Sequence, residues 1–332
     1  MTAAAYEELQ TQRSALNAAE LAQMERLTDV WTYIVVNLRK DIDKLGTEIA
    51  KRVKAGETVS EGALRQMQHY QALMQQATQQ ASYYAQIVQD DVAQSVIASA
   101  NAGVEGAVTT TQLAAGEQPL VLAFDQIDIG GVTNLAGLLA DGTPIRDILM
   151  SRWPETWASI ETEMLRGAAK GLSPREIAKS IVDKFGAIMA DVLRIVRTEN
   201  MRAYREATRQ TYIQSGVVKQ YKRVATKDTR TCVACLALDG RVYPVTQPLV
   251  DHPMGRCAMI PIVTGAPAVT WQKGSDWFET LDEADQRAMM GDAKFEAWVD
   301  GQFDFEDLAV QLPDSVWGGQ LRTATVDELG IE

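Results

Sequence analysis

Over the first hundred residues, apolar side chains recur at Leu21, Met24, Leu27, Trp31, Ile34, Leu38, Ile42, Leu45, Ile49 and Val53, every step three or four residues long. That period lays them on one stripe of one long helix. The stretch Gly56 to Gly62, with the Ser60 hydroxyl inside it, supplies a stop and a fresh N-cap. Leu64, Met67, Met74, Ala77, Ala81, Tyr84, Val88 and Val92 then repeat the spacing on a face narrowed by glutamines. Two such stripes joined by a short loop predict an antiparallel, coiled-coil-like helical hairpin over residues 1–100. Its outer side is either an ordinary solvated face or a docking surface.

From Asn101 the periodicity fades into glycines and threonines, so residues 101–145 read as a connector, with a short strand at Leu120 to Phe124. Ser173, Pro174 and Glu176 occupy N-cap, first-turn and capping-box positions, so a helix starts there. A further helix is expected from about Ile188 to Gln214, closed by Ser215-Gly216. VVKQYKRVAT, RVYPV and AMIPIV have the alternation or β-branched content of strands. The expected class is therefore α+β: a helical arm, a core of helices with a small antiparallel sheet over residues 146–264, and an acidic helical region over residues 265–332.

Charge separates these parts. The net charge is -12, against a uniformly basic nucleic-acid coat, but Arg194 to Arg230 carries ten basic and three acidic residues, whereas Lys273 to Glu332 carries four basic and fifteen acidic. The basic segment places Arg202, Arg205, Arg209, Lys219, Lys222 and Arg223 as candidate phosphate contacts. Bland alternatives for them are a solvated face or partners for the acidic region. The first residues are polar where a secretory signal needs an apolar run, and no stretch of about 18 apolar residues follows, so a soluble protein made in a reducing cytoplasm is expected.

All three cysteines fall within 26 residues: Cys232 and Cys235 form a CxxC, and His252 and Cys257 follow. Two thiolates in a tight turn, completed from a later loop, suit the tetrahedral, sulfur-preferring coordination of Zn2+. Three sulfurs and one imidazole leave no open position, which points to a structural clamp rather than a hydrolytic centre. A redox CxxC and three ordinary buried thiols are the alternatives.

The series Arg197-Thr198-Glu199, then Asp228, Arg230, Cys232, Cys235 and Gly240, then His252, Pro253, Arg256 and Cys257, resembles the phage Mu protein F-like family of minor head, or head-morphogenesis, proteins. The likeness covers about residues 146–264 and is most specific in the last seventy. One departure stands out: Gly255 occupies the place where the family closure usually has a cysteine, which makes His252 necessary for four-coordination. A weaker likeness continues through Trp277, Phe278, Gln286 and Gly291.

The resemblance implies a structural protein of the phage head, present in few copies near the portal vertex and used in assembly or genome handling. Its implied partners are the portal protein or major capsid protein, with phage DNA as a further partner, and no membrane or small-molecule substrate. Its implied location is the virion, after assembly in the host bacterial cytoplasm. No enzymatic activity is expected: Arg197 and Glu199 stand two residues apart on a helix, and His69 lies far from the cysteines in the sequence.

Overall fold

In a computed structural model the described residues are 3–116, 139, 141–266, 271–313 and 319–331. The periodic stripes form helices α1 (Ala3–Lys54) and α3 (Gln68–Ala115), separated by the one-turn helix α2 (Glu61–Arg65). Ser60 caps α2 as expected, its hydroxyl accepting the Ala63 N–H at 3.2 Å. Gln23 meets Asp91, the Tyr84 hydroxyl donates to Leu27 O, and Glu48 meets His69. Rungs that climb one helix while descending the other make the pair antiparallel. Leu21 is the exception on its stripe, more than half exposed, and Leu73 and Tyr70 join the buried face of α3 while Met74 stays outside.

The structure corrects the boundary at residue 100. Helix α3 continues to Ala115 because Gly103 and Gly106 serve close packing instead of a turn: a Cβ on Gly103 would lie 2.4 Å from Tyr204 O, and one on Gly106 would lie 2.2 Å from Gln12 Oε1. The connector thus loses its first fifteen residues to the helix, and the strand expected at Leu120 to Phe124 lies outside the described residues.

Helices α4 (Ile145–Ser151) and α5 (Trp153–Ala169) follow. Beyond them, α6 runs unbroken from Pro174 to Gln214, joining two helices expected to be separate. Ser173 starts it with the capping box read from the sequence, its hydroxyl accepting Glu176 N–H while Glu176 accepts Ser173 N–H. Gly186 costs a helix about 1 kcal/mol relative to Ala. Fully buried Phe185, packed edge-on against Trp31 at 6.0 Å and accepting the Trp31 indole N–H on its carbonyl, holds the turn closed.

The chain divides into two compact units, neither contiguous in sequence: Met1–Ala18, Gln94–Gly142 and Arg197–Glu332 form one, and Ala19–Ala93 with Thr143–Val196 the other. The hairpin is therefore not a separate arm. In the second unit Trp31, Tyr84, Trp153, Trp157 and Phe185 form an aromatic core, and Glu161 accepts Arg65 Nε at 2.8 Å and the Tyr70 hydroxyl at 3.1 Å.

The first unit holds the antiparallel sheet, in order β2-β1-β3, from Val218–Val224 (β1), Val242–Pro244 (β2) and Ala258–Val263 (β3). These are the three strands expected. A bulge between Val218 and Gln220 shifts the alternation, so Arg223 follows Tyr221 onto an inward face instead of pointing to solvent. The C-terminal region is not an independent helical tail. Its helices α8 (Gly274–Glu279), α9 (Glu283–Met290) and α10 (Asp292–Val299) are followed by a hairpin of β4 (Ala309–Leu312) and β5 (Gln320–Thr323). Phe278, Phe295, Phe305, Leu308 and Leu321 share one buried cluster with Cys235, Leu236 and Cys257.

Packing at Gly103 gives a direct test. Gly103→Ala should lower stability by about 1–3 kcal/mol through overpacking. Gly62→Ala, in α2 with open space around its Cβ position, should be neutral or stabilising by a few tenths. Thermal unfolding of the two variants checks the contrast.

Candidate metal centre

Two loops of the first unit form the site, one after β1 and one before β3. In the first, the Asp228 carboxylate accepts Arg256 Nη1 at 2.6 Å and Nη2 at 2.7 Å, the Arg230 N–H at 3.0 Å and the Thr231 hydroxyl at 3.0 Å. The bidentate grip of Arg256 holds the Asp228 carboxyl well below the usual carboxylate range. Asp228 is thus the knot between the two loops. The Arg230 side chain is 81% exposed and takes no part in the interior.

Cys232 N-caps a short helix, α7 (Val233–Ala237), and Cys235 N–H donates to Cys232 O at 3.0 Å. The CxxC therefore sits on a helical turn between β1 and β2, not in a plain strand-to-strand turn. Gly240 then turns the chain at φ +81°, its N–H donating to Arg223 O at 2.8 Å.

The second loop supplies His252. Its Nδ1 lies 2.8 Å from Pro253 O, a group that can only accept, so the proton belongs on Nδ1. In the neutral ring Nε2 then carries the lone pair, 3.3 Å from Cys232 Sγ. This is the tautomer a metal needs. The ligand atoms of Cys232, Cys235 and His252 all lie within 4.8 Å of one another, and so do those of Cys235, Asp251 and Cys257. The four expected ligands do not form one group: Cys232, Cys235 and His252 make one triad and Cys235, Asp251 and Cys257 another, joined at Cys235, with Asp251 where His252 was expected beside Cys257.

Asp251 was missed by the sequence reasoning, and it organises the site. Its carboxylate, 2% exposed, accepts Arg205 Nη2 at 2.5 Å, Arg223 Nη2 at 3.1 Å and its neighbour's His252 N–H at 3.0 Å, with Cys235 Sγ at 3.4 Å. Burial alone would push this carboxyl up. Arg205 and Arg223 reverse that and hold it at about 2. Gly255 follows from the same carboxylate: any Cβ there would lie 2.3 Å from the Asp251 side chain. The cysteine absent at Gly255 would begin in space that Asp251 fills. A lone Asp next to His carries no spacing signature; the glycine in its place in the closure was the legible trace.

Three of the six candidate phosphate contacts, Arg205, Arg209 and Arg223, turn inward. Arg223, 1% exposed, donates to Val250 O at 2.6 Å and to Asp251, and it touches Cys235 Sγ at 3.5 Å. Such a side chain cannot reach a phosphate, which corrects its expected role. Arg205 donates Nε to Cys257 O at 2.7 Å and Nη2 to Gly255 O at 2.8 Å. Arg209 is held by Glu206 and Val245 O, and Arg202 donates Nε to Glu199 at 2.8 Å. Lys219 is exposed on β1, and Lys222 lies 5.0 Å over the Trp271 ring. Of the Arg-Thr-Glu series, Arg197 bonds Asn17 at 2.6 Å, Thr198 accepts Met254 N–H at 3.1 Å, and Glu199 is buried with its carboxyl pushed up by burial against the pull of Arg202.

With this geometry in view, the comparison with protein families places the likeness. Residues 158–260 match the family model described as Phage Mu protein F like protein. The resemblance read from the sequence holds over that stretch, which contains α6, β1, β2, the first half of β3 and all four expected ligands. Comparison with curated proteins and with solved structures gave no match. Among the described residues no helix is long and apolar enough to cross a membrane.

Because the Asp251 carboxyl lies below its ordinary value in the folded chain, its contribution of about 2 kcal/mol is present above about pH 4 and is lost as pH falls toward 2. Melting curves between pH 6 and pH 2 should show an acid-side decline, part of which Asp251→Asn removes. An identical decline in that variant would contradict the assignment.

Proposed function

We propose that the chain is a minor head protein of a tailed phage or prophage, docking at the portal vertex or inner capsid during head assembly or genome handling, with a structural Zn2+ as its clamp. The observation that carries the role is the Mu F-like match over residues 158–260, since members of that family are head-morphogenesis proteins. No step of catalysis is assigned to the chain.

Two features support Zn2+ on Cys232, Cys235, His252 and Cys257. One is the proton on His252 Nδ1, which leaves Nε2 free to ligate. The other is charge. Arg205 and Arg223 bring two positive charges to the single negative charge of Asp251, leaving one buried positive charge in surplus. Zn2+ with three thiolates and a neutral imidazole carries one negative charge, which balances it, as a buried charge requires. When bound, such an ion would tie the α7 turn to the loop before β3. Asp251 and Pro253 O would then orient its ligands from behind.

DNA binding through residues 194–230 has less support, since Arg223 is buried and Arg205 and Arg209 commit most of their donors inside the protein.

Metal analysis of the purified chain should find about one zinc per chain, with Cys257→Ser lowering the affinity by 10-fold or more. A chain that folds and melts identically with and without zinc would contradict the clamp. Co-sedimentation with purified portal tests docking: retention at physiological salt is expected, and clean separation from both portal and capsid shells would contradict it.

A further inference from the structure

Beside the metal centre, and sharing Asp251 and His252 with it, α6 and the extended chain from Pro248 to Pro253 enclose a cleft of about 230 Å³. Arg202, Arg205 and Arg209 line one wall, at positions three and four residues apart on α6 and so on one face. Pro248, Leu249 and Pro253 supply an apolar opposite side. Arg205 commits Nε and Nη2 to Cys257, Gly255 and Asp251, and its Nη1 has no acceptor among the described residues. Arg209 Nη1 spends one of its two protons, on Val245 O. Two guanidinium groups fixed from behind by buried acceptors thus keep donors in reserve at a concave surface.

We propose that this cleft is a docking site for an acidic protein segment, whose Asp, Glu or terminal carboxylate meets Arg205 and Arg209 while its aliphatic or proline neighbours lie on Pro248 and Leu249. Fixed guanidinium groups suit carboxylates, because their position is already determined before the ligand arrives. Nucleic acid fits less well: among the described residues no Phe, Tyr or Trp lines the cleft to stack a base, and its only aromatic ring is the His252 imidazole. Glu206, which pairs with Arg209 and lines the same cleft, acts as an internal competitor for the incoming carboxylate. The site needs no metal for recognition, so its success or failure is independent of the zinc clamp.

The experiment uses the full chain and two fluorescein-labelled peptides, (Asp-Pro-Leu)3 and (Asn-Pro-Leu)3, read by anisotropy, with inorganic phosphate and a 12-nucleotide single strand as competitors. The acidic peptide should bind at least about tenfold more tightly than the amide peptide, and less tightly as salt is raised. Pro248→Glu, an exposed change that sets a carboxylate at the mouth, should weaken binding by about tenfold; Glu206→Gln, which removes the competitor, should tighten it. Neither variant alters the buried Arg205–Asp251 pair, and unchanged melting verifies that both fold. Equal binding of both peptides, no effect of either variant, or displacement by phosphate or the oligonucleotide at concentrations matching the acidic peptide would each overturn the proposal.

Discussion

A buried carboxylate held by two buried guanidinium groups is the interaction on which the first unit depends. Asp251 draws Arg205 from α6 and Arg223 from β1 to one point, and the point lies against Cys235. Removing Asp251 would leave two guanidinium groups uncompensated in the interior, which costs far more than either pair contributes in isolation, whereas removing one guanidinium leaves the other on the carboxylate. The helix, the strand and the two cysteine-bearing loops are therefore fixed together before any ion is considered. Within this frame the ligand atoms of Cys232, Cys235 and His252, and those of Cys235, Asp251 and Cys257, lie within 4.8 Å of one another.

Around that point the chain has recruited segments that are remote in sequence. Arg13 of α1 donates Nη2 to Arg256 O at 2.8 Å and to the Thr226 hydroxyl, so the beginning of the N-terminal helix braces the same loops that Asp228 ties. Phe278, Phe305 and Leu321 close the far side of α7. The N-terminal helix and the acidic C-terminal region are thus structural parts of the cysteine site. That arrangement explains why the family likeness, confined to residues 158–260, describes less than the folded unit contains.

Much of this was legible in the sequence. The period of three and four gave α1 and α3, the Ser173 box gave the start of α6, and alternation gave three strands whose bounds the structure largely keeps. The cysteine spacing gave the loops that meet. What escaped had physical causes. Gly103 looked like a breaker because composition cannot distinguish a glycine that ends a helix from one that lets another backbone approach. Arg223 looked exposed because a single bulge reverses which residues of β1 face inward. Asp251 was invisible because its importance lies in tertiary contacts with Arg205 and Arg223, 46 and 28 residues earlier in the chain.

The most direct test is a double-mutant cycle on Asp251 and Arg223, with Asp251→Leu, Arg223→Met and the double variant compared by chemical unfolding. Asp251→Leu should cost about 3–5 kcal/mol by stranding two guanidinium groups, Arg223→Met should cost less because Arg205 still answers the carboxylate, and the double variant should cost less than their sum by about 2–3 kcal/mol. Strictly additive losses would contradict the account, because they would mean that the two groups stabilise the fold independently and that no shared charge network holds the loops in place.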